Sequence, residues 1–380
     1  MASTAVDTLI VGGGIAGLAC ARHLHTCGKQ FLLISPDIGG RILSSADRAV
    51  NYGAFFVCDD YHHMLKFTSH RRRIRLSDFC FHEKTHSYVL YQPKLLSYIM
   101  QFLKIKTLLR SFRSSLGEMR KSCVSISQKT AIEQDPLLYE AYMTDATDYV
   151  TAHQLERGTQ TYLSKALYST TFSSIDAMNA FSFLQFLLPL ITPIYTFQFE
   201  QEKMIAPFQE SIRIDSVHSI HYRNKQYHIK TDSASYTATN LVLATEVGWS
   251  APFAHISSMN TPISTHMLHI RGTPKKSFQK KAYHLFHPGS EVQAVADCLN
   301  GTYLLYYKDH EPDITIYFYD PEIIASKYWN PAGRINGHVL IEAVRGNNCY
   351  CIGDYNIAGL EETYITGIFA ANQIMKKKEE

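Results

Sequence analysis

The sequence has no C-x-x-C pair. Its eight cysteines are scattered, and only Cys349 and Cys351 lie close together. That excludes zinc-ribbon and thioredoxin-like spacings and predicts reduced thiols in a cytoplasmic setting. No secretory leader is read before the first predicted strand, because the apolar run Thr8–Val11 is too short and too early for one. There is no internal repeat. The only biased tract is Lys376–Glu380, read as a solvated end. Charge of one sign is also scarce, with a net +3 over 380 residues. Bulk charge therefore gives no nucleic-acid signal, and the short run Arg71–Arg75 does not change that. What is present is a globular composition, 46% hydrophobic, long enough for a large core and two domains.

The first strong pattern is Asp7–Gln30, which reads as strand, glycine turn and helix. Gly12, Gly14 and Gly17 stand at G-x-G-x-x-G spacing. The first allows a tight turn, the second lets a pyrophosphate approach the backbone, and the third lets helix pack on strand. Ile15 and Ala16 open a helix running to Leu24, whose N-terminal N–H groups suit an anion. Gly28 ends it, and Phe31–Ile34 returns as a second strand. The pattern predicts dinucleotide binding. A glycine-rich turn that binds nothing is the alternative.

Two segments raise the question of a membrane. Met178–Phe199 carries no charge, but Pro189, Pro193 and several polar residues argue against a span. They predict a buried helix pair lining an apolar cavity. Pro93–Ser115 suits a helix with Pro at its start and apolar residues at helical spacing among Lys and Arg. From Lys66 to Lys121 there are 13 Lys and Arg against 3 Asp and Glu. Such a stretch can touch anionic lipid at the membrane periphery, attract an anionic substrate, or be a solvated face. His82–His86 matches H-E-x-x-H, yet the surrounding residues alternate like two strands around a turn. A hairpin does not give the two imidazoles a shared helical face, so no metal site is read.

The C-terminal residues Asn347–Met375 read as strand, Gly353-Asp354, loop and helix. Glu210–Thr245 reads as alternating strands closing on Asn240–Thr245. Taken with "IVGGGIAGLACARHL", "GGRI" (Gly39–Ile42), "VNYGAFFV" (Val50–Val57), "SVHSI" and "IGDYNIAGLEETYITGIFAA", the chain resembles the flavin-dependent amine oxidase superfamily along nearly its whole length. That superfamily includes protoporphyrinogen oxidases, carotenoid desaturases and renalase-like proteins.

The resemblance implies an α/β fold: a Rossmann-like FAD-binding domain (1–60, 205–250 and 335–380) with an interleaved α+β substrate domain (61–204 and 251–334). It implies FAD, with Gly12, Gly14, Ile15, Ala16 and Gly17 at the diphosphate and Gly40 and Arg41 nearby. Gly53 and Ala54 would lie beside the flavin, and backbone at Val217 would meet the adenine. Gly353 and Asp354 would hold the diphosphate–ribityl part. Backbone at Glu362, Thr363 and Tyr364 would face the flavin pyrimidine edge, where a helix N-terminus stabilises the charge of reduction. A single dinucleotide fingerprint argues against a second, NAD(P)H domain.

The chain departs from the superfamily in four places. Ser35 stands where the second strand usually ends in the Glu that binds the adenosine ribose. Asp37 either reaches back to the ribose or is simply a turn acid. No Lys occupies the substrate-domain strand Ile263–Gly272, where Thr265 or His266 stands instead. The cage Tyr is replaced by Gly359 and Leu360, and a Gly-Gly pair before the adenine-binding strand is missing. The leading expectation is an FAD-dependent oxidoreductase that takes a hydride from an apolar or amine small molecule. His266 and Trp329 are its candidate catalytic residues, and Phe55 and Phe56 candidate lining. The alternatives are a flavin-binding protein without turnover and a membrane-associated desaturase.

Overall fold

A computed structural model describes residues 4–376; the tail beyond Lys376 lies outside them. The chain opens as strand β1 (Thr4–Gly13), whose second half is buried on both faces from Leu9 to Gly12. A strand buried on both faces needs parallel neighbours and covering layers. Both are present. Helix α1 (Ile15–Thr26) follows after Gly14, which sits outside the helix with φ −76° and ψ 178°. Gly28, at φ +66°, turns the chain into strand β2 (Phe31–Ile38), parallel to β1. This βαβ unit matches the sequence expectation, and the helix runs two residues past Leu24.

The sheet grows outward from this unit. On one side β2 pairs in parallel with Ile212–Ile214. On the other, β1 pairs in parallel with Ser235–Leu243. That last strand takes two neighbours: the hairpin Val217–Arg223/Gln226–Thr231 along its first half and Cys349–Cys351 along its second. The final helix (Leu360–Lys376) then packs across α1.

A second seven-stranded sheet is built from residues between these pieces. Its order runs Phe318–Asn336, Thr261–Pro274, Thr302–Tyr307, Val292–Asp297, Tyr283–Phe286, Phe79–His82 and Ser87–Val89. Phe79–His82 and Ser87–Val89 form the antiparallel hairpin read from the sequence. Val57–Cys58, Ile194–Phe199 and Thr68–Ile74 form a separate three-stranded sheet with Ile194–Phe199 at its centre.

Helix α2 (Ile99–Ser122), preceded by a 3-10 turn with Pro93 at its start, buries Ile105, Leu109, Phe112, Leu116 and Met119. These recur at steps of four and three, one helical face, each contributing about 1.5–3 kcal/mol by burial. Met178–Phe199 is not a helix pair. It is one short helix (Ala180–Leu187), a 3-10 turn at Leu188–Leu190, and the strand Ile194–Phe199. Pro189 and Pro193 break the helix where the sequence placed its second half. No helix among the described residues is long and apolar enough to cross a membrane.

Candidate functional site

The three glycines of the first turn do different work. Gly12 has φ +112°, and a Cβ there would lie 2.5 Å from the Ala244 carbonyl oxygen. A Cβ on Gly17 would lie 2.0 Å from the Gly12 oxygen. Both are fixed by packing of helix against strand. At Gly14 the nearest atom to a Cβ is the Gly40 Cα, at 4.0 Å. Gly14 is glycine for a reason other than packing: its free side faces outward at the N-terminus of α1, beside the side chainless Gly40.

The end of the chain arrives at this same turn. Gly353 has φ +136°, and its N–H donates to Thr366 Oγ1 at 3.0 Å. The last helix crosses α1 so closely that a Cβ on Gly367 would lie 2.3 Å from the Ala16 oxygen. Arg41 donates to Asp354 at 2.5 Å, with both side chains partly accessible. Gly53 and Ala54 hold on to the same arginine through backbone. The Ala54 N–H donates to the Arg41 oxygen at 3.0 Å, and a Cβ on Gly53 would lie 2.0 Å from it. Trp329 closes the group: its ring lies 3.5 Å from that Gly53 position, and its buried Nε1 has no partner. Gly12–Gly17, Gly40, Arg41, Gly53, Ala54, Trp329, Gly353 and Asp354 are thus brought together.

The end of β2 differs from the expectation. Strand β2 does not stop at Ser35 but continues over the glycine turn, with Gly13 in register with Ile38 and the Gly39 N–H donating to the Gly13 oxygen at 2.9 Å. Ser35 is buried. Asp37 is exposed on the extended strand, and its carboxylate has no partner among the described residues. The acid beside Ser35 is Asp215, which sequence reasoning did not single out. Its N–H donates to the Ser35 oxygen at 3.0 Å. Its carboxylate accepts from Ser233 Oγ and the Ser216 N–H, which holds its pKa down to about 2. Val217 follows directly and is half-buried.

At the start of the last helix the acidic side chains turn into the protein. Glu361 is fully buried and accepts from the His62, His63 and Met64 N–H groups and from His63 Nδ1. Burial opposes its ionisation, yet these bonds hold the carboxyl below its ordinary value. Glu362 is fully buried and pairs with Arg120 at 2.5 Å. Tyr364 stacks on His63. The side chains of Glu362 and Tyr364 are thus already engaged, and the Thr363 N–H is given to the Gly359 oxygen at 3.0 Å.

His266 does not join the group. It lies stacked between Tyr307 and Tyr328, on the sheet face opposite Thr265 and Met267. Trp329 is in register with Thr265 on the inner face. Thr265 is buried and donates to Gln293 Oε1 at 2.7 Å. The inner-face histidine is His269, within 3.1 Å of the Tyr52 hydroxyl and 2.8 Å of Thr302 Oγ1, with its pKa lowered by burial. Strand parity finds such a residue only when the inward face is already known.

His86 is exposed on the hairpin, apart from His82. His82 instead meets Cys80 and His284, whose ligand atoms lie within 4.8 Å of one another. His82 Nε2 is 2.8 Å from His284 Nδ1, while His284 Nε2 reaches the Lys281 oxygen at 3.1 Å. The two imidazoles satisfy each other as neutral groups.

A cavity of about 760 Å³ is lined by Phe79, Tyr91, Lys106, Arg110 and residues 189–194. From its lining an aromatic chain runs to Phe55, two residues from Gly53: Phe79 packs on Tyr283 at 5.4 Å, and Tyr283 on Phe55 at 5.7 Å.

Residues 10–70 match the family profile of an NAD(P)-binding Rossmann-like domain. Comparison with curated protein sequences gives no match. Solved structures are similar over the full chain. A putrescine oxidase redesigned in cofactor binding is 12% identical, with 99% of this chain and 100% of that one covered at a TM-score of 0.70. Cyclohexylamine oxidase from Brevibacterium oxydans IH-35A is 13% identical, with 99% and 100% covered at 0.64. The CLA-producing fatty acid isomerase from P. acnes is 12% identical, with 98% of each covered at 0.64. These show that the chain has the fold of putrescine oxidase and cyclohexylamine oxidase, with a Rossmann-like domain at residues 10–70.

Proposed function

We propose that the protein is a flavin-dependent oxidoreductase that binds FAD and removes a hydride from an amine or from a C–C or C–N pair of a small molecule. The carrying observation is the convergence of the α1 glycine turn and the Gly353-Asp354 turn on one site, joined by Arg41. The donor set fits the cofactor. The backbone at Gly14–Ala16, at a helix N-terminus, would hold the diphosphate, with the Arg41 charge beside it. Asp354 would hold the ribityl chain through the oxygen that Arg41 leaves free. The unpartnered Trp329 Nε1–H is a buried donor beside Gly53 awaiting an acceptor. The ribose end fits less well: no carboxylate ends β2 in the inward position, so affinity would rest on the diphosphate and ring. A bound flavin supplies the hydride acceptor.

A second reading, flavin binding without turnover, is favoured by the inner face itself. It offers the neutral, hydrogen-bonded Thr265 and no lysine on the strand Thr261–Pro274. Absorbance of the purified protein separates the two. Flavin that bleaches anaerobically with a panel of amines and unsaturated acids supports the oxidoreductase. Bound flavin inert to every donor supports the second reading, and a colourless protein that takes up no added FAD refutes both.

A further inference from the structure

We propose that the face formed by residues 91–113 docks on an anionic lipid bilayer. Tyr91, Leu96, Ile99, Met100 and Leu103 are exposed at 63%, 70%, 47%, 74% and 54%. Among the described residues, a third of all exposed large hydrophobic side chains fall within these 13 positions. Leu96, Ile99, Met100 and Leu103 recur at steps of three, one and three, which is one helical stripe. The helix meets the core through a different stripe, beginning at Ile105. The outer stripe is therefore apolar and uncovered, a pattern that marks an interaction surface.

Its charge names the partner. No Asp or Glu occurs from Lys84 to Gly117. Lys94, Lys104, Lys106 and Arg110 are exposed and, among the described residues, form no ion pair. Flexible Leu, Ile and Met side chains ringed by lysines are the composition of a helix lying in the headgroup layer. Nucleic acid would use the cations and leave the stripe wet. Along the same helix face Ile99 and Leu103 are followed by Lys106, Arg110 and Arg113 at steps of three and four. Those three cations line the 760 Å³ cavity together with Arg73 and Arg75. The cavity thus shares Tyr91 and the cationic end of this helix face with the docking surface. A lipid-phase molecule with an anionic head would meet both on leaving the bilayer. The docking does not depend on the oxidoreductase reading, and its test needs no flavin.

The test is co-sedimentation of the full chain with phosphatidylcholine vesicles containing 30% phosphatidylserine, and with phosphatidylcholine alone. Binding is expected to the anionic vesicles and to weaken steeply with added salt. Two variants are compared, each checked for an unchanged thermal melt because every changed side chain is exposed. Leu96→Ser/Met100→Ser/Leu103→Ser should lower the partition coefficient at least tenfold. Lys104→Gln/Lys106→Gln should lower it by about fivefold per lysine. No sedimentation with anionic vesicles, or equal binding of both variants and the parent, overturns the proposal. So does a dimer in light scattering that the triple variant dissociates while vesicle binding persists, since the stripe would then cover a second copy.

Discussion

Gly14→Ala and Gly17→Ala differ by three positions and should fail in opposite ways. At Gly17 the added methyl would lie 2.0 Å from a backbone oxygen, well inside any permitted contact. Strand and helix must separate, at a cost of about 3 kcal/mol or more. At Gly14 the same methyl meets nothing within 4.0 Å of protein and the backbone is extended, a conformation any residue adopts. Loss of the glycine cap costs at most about 1 kcal/mol, and Gly14→Ser should recover it by capping. Yet the methyl would stand where the cofactor diphosphate must approach, and a loss of about 100-fold in affinity corresponds to about 2.7 kcal/mol. Thermal melts and flavin titrations of the three variants are the assay. The expected result is Gly17→Ala unstable, and Gly14→Ala and Gly14→Ser folded but poor in flavin. A Gly14→Ala protein that binds flavin like the parent refutes the assignment of this turn to the diphosphate. One that melts as low as Gly17→Ala refutes the reading of open space.

Two further perturbations probe the scaffold. Arg120→Met strands the fully buried Glu362 carboxylate and should cost about 3–5 kcal/mol in urea unfolding, while adding Glu362→Gln should restore part of it. Failure of the double variant to recover would show that Arg120 acts through packing rather than charge. Burial, and then their mutual proximity for His82, hold His82 and His284 down to about 4, against about 6.5 unfolded. The unfolded chain therefore binds more protons between these values, and stability is fully present above pH 6.5 and falls as pH drops toward 4. Two such shifts correspond to a loss on the order of 6 kcal/mol as an upper limit for the pair, flattened in His82→Phe/His284→Gln. A parent and double variant with parallel melting curves against pH would refute it.

The β1–α1–β2 unit and the Phe79–Val89 hairpin were legible because local rules set them: turn glycines, a helix start, period-two alternation. The gathering of Arg41, Gly53 and Asp354 was legible through motif order, and the Arg41–Asp354 pair gives it a geometry. Other features depend on which distant segment lies alongside. His266 and Thr265 are adjacent, and only the position of the other sheet decides which of them faces inward. Met178–Phe199 is apolar throughout, so periodicity could not separate a helix from a helix that becomes a strand. That β2 continues to Ile38 and pairs past the glycine turn has no local sign in the sequence either. His284 lies about 200 residues from its partner His82 and carries no local sign of the pairing.

The seating of Gly367 against Ala16 and Cys20 bears on biosynthesis. Helix α1 is covered by a helix made about 350 residues later, the separation of Gly367 from Ala16. The β1 neighbour Ser235–Leu243 comes late, and the strand Cys349–Cys351 later still. Until the helix Leu360–Lys376 is made, α1 keeps a bare flank, a setting that slows folding and invites aggregation of the nascent chain. A premature stop before residue 360 would leave that flank permanently open, so truncated products are expected to be chaperone clients rather than smaller working proteins.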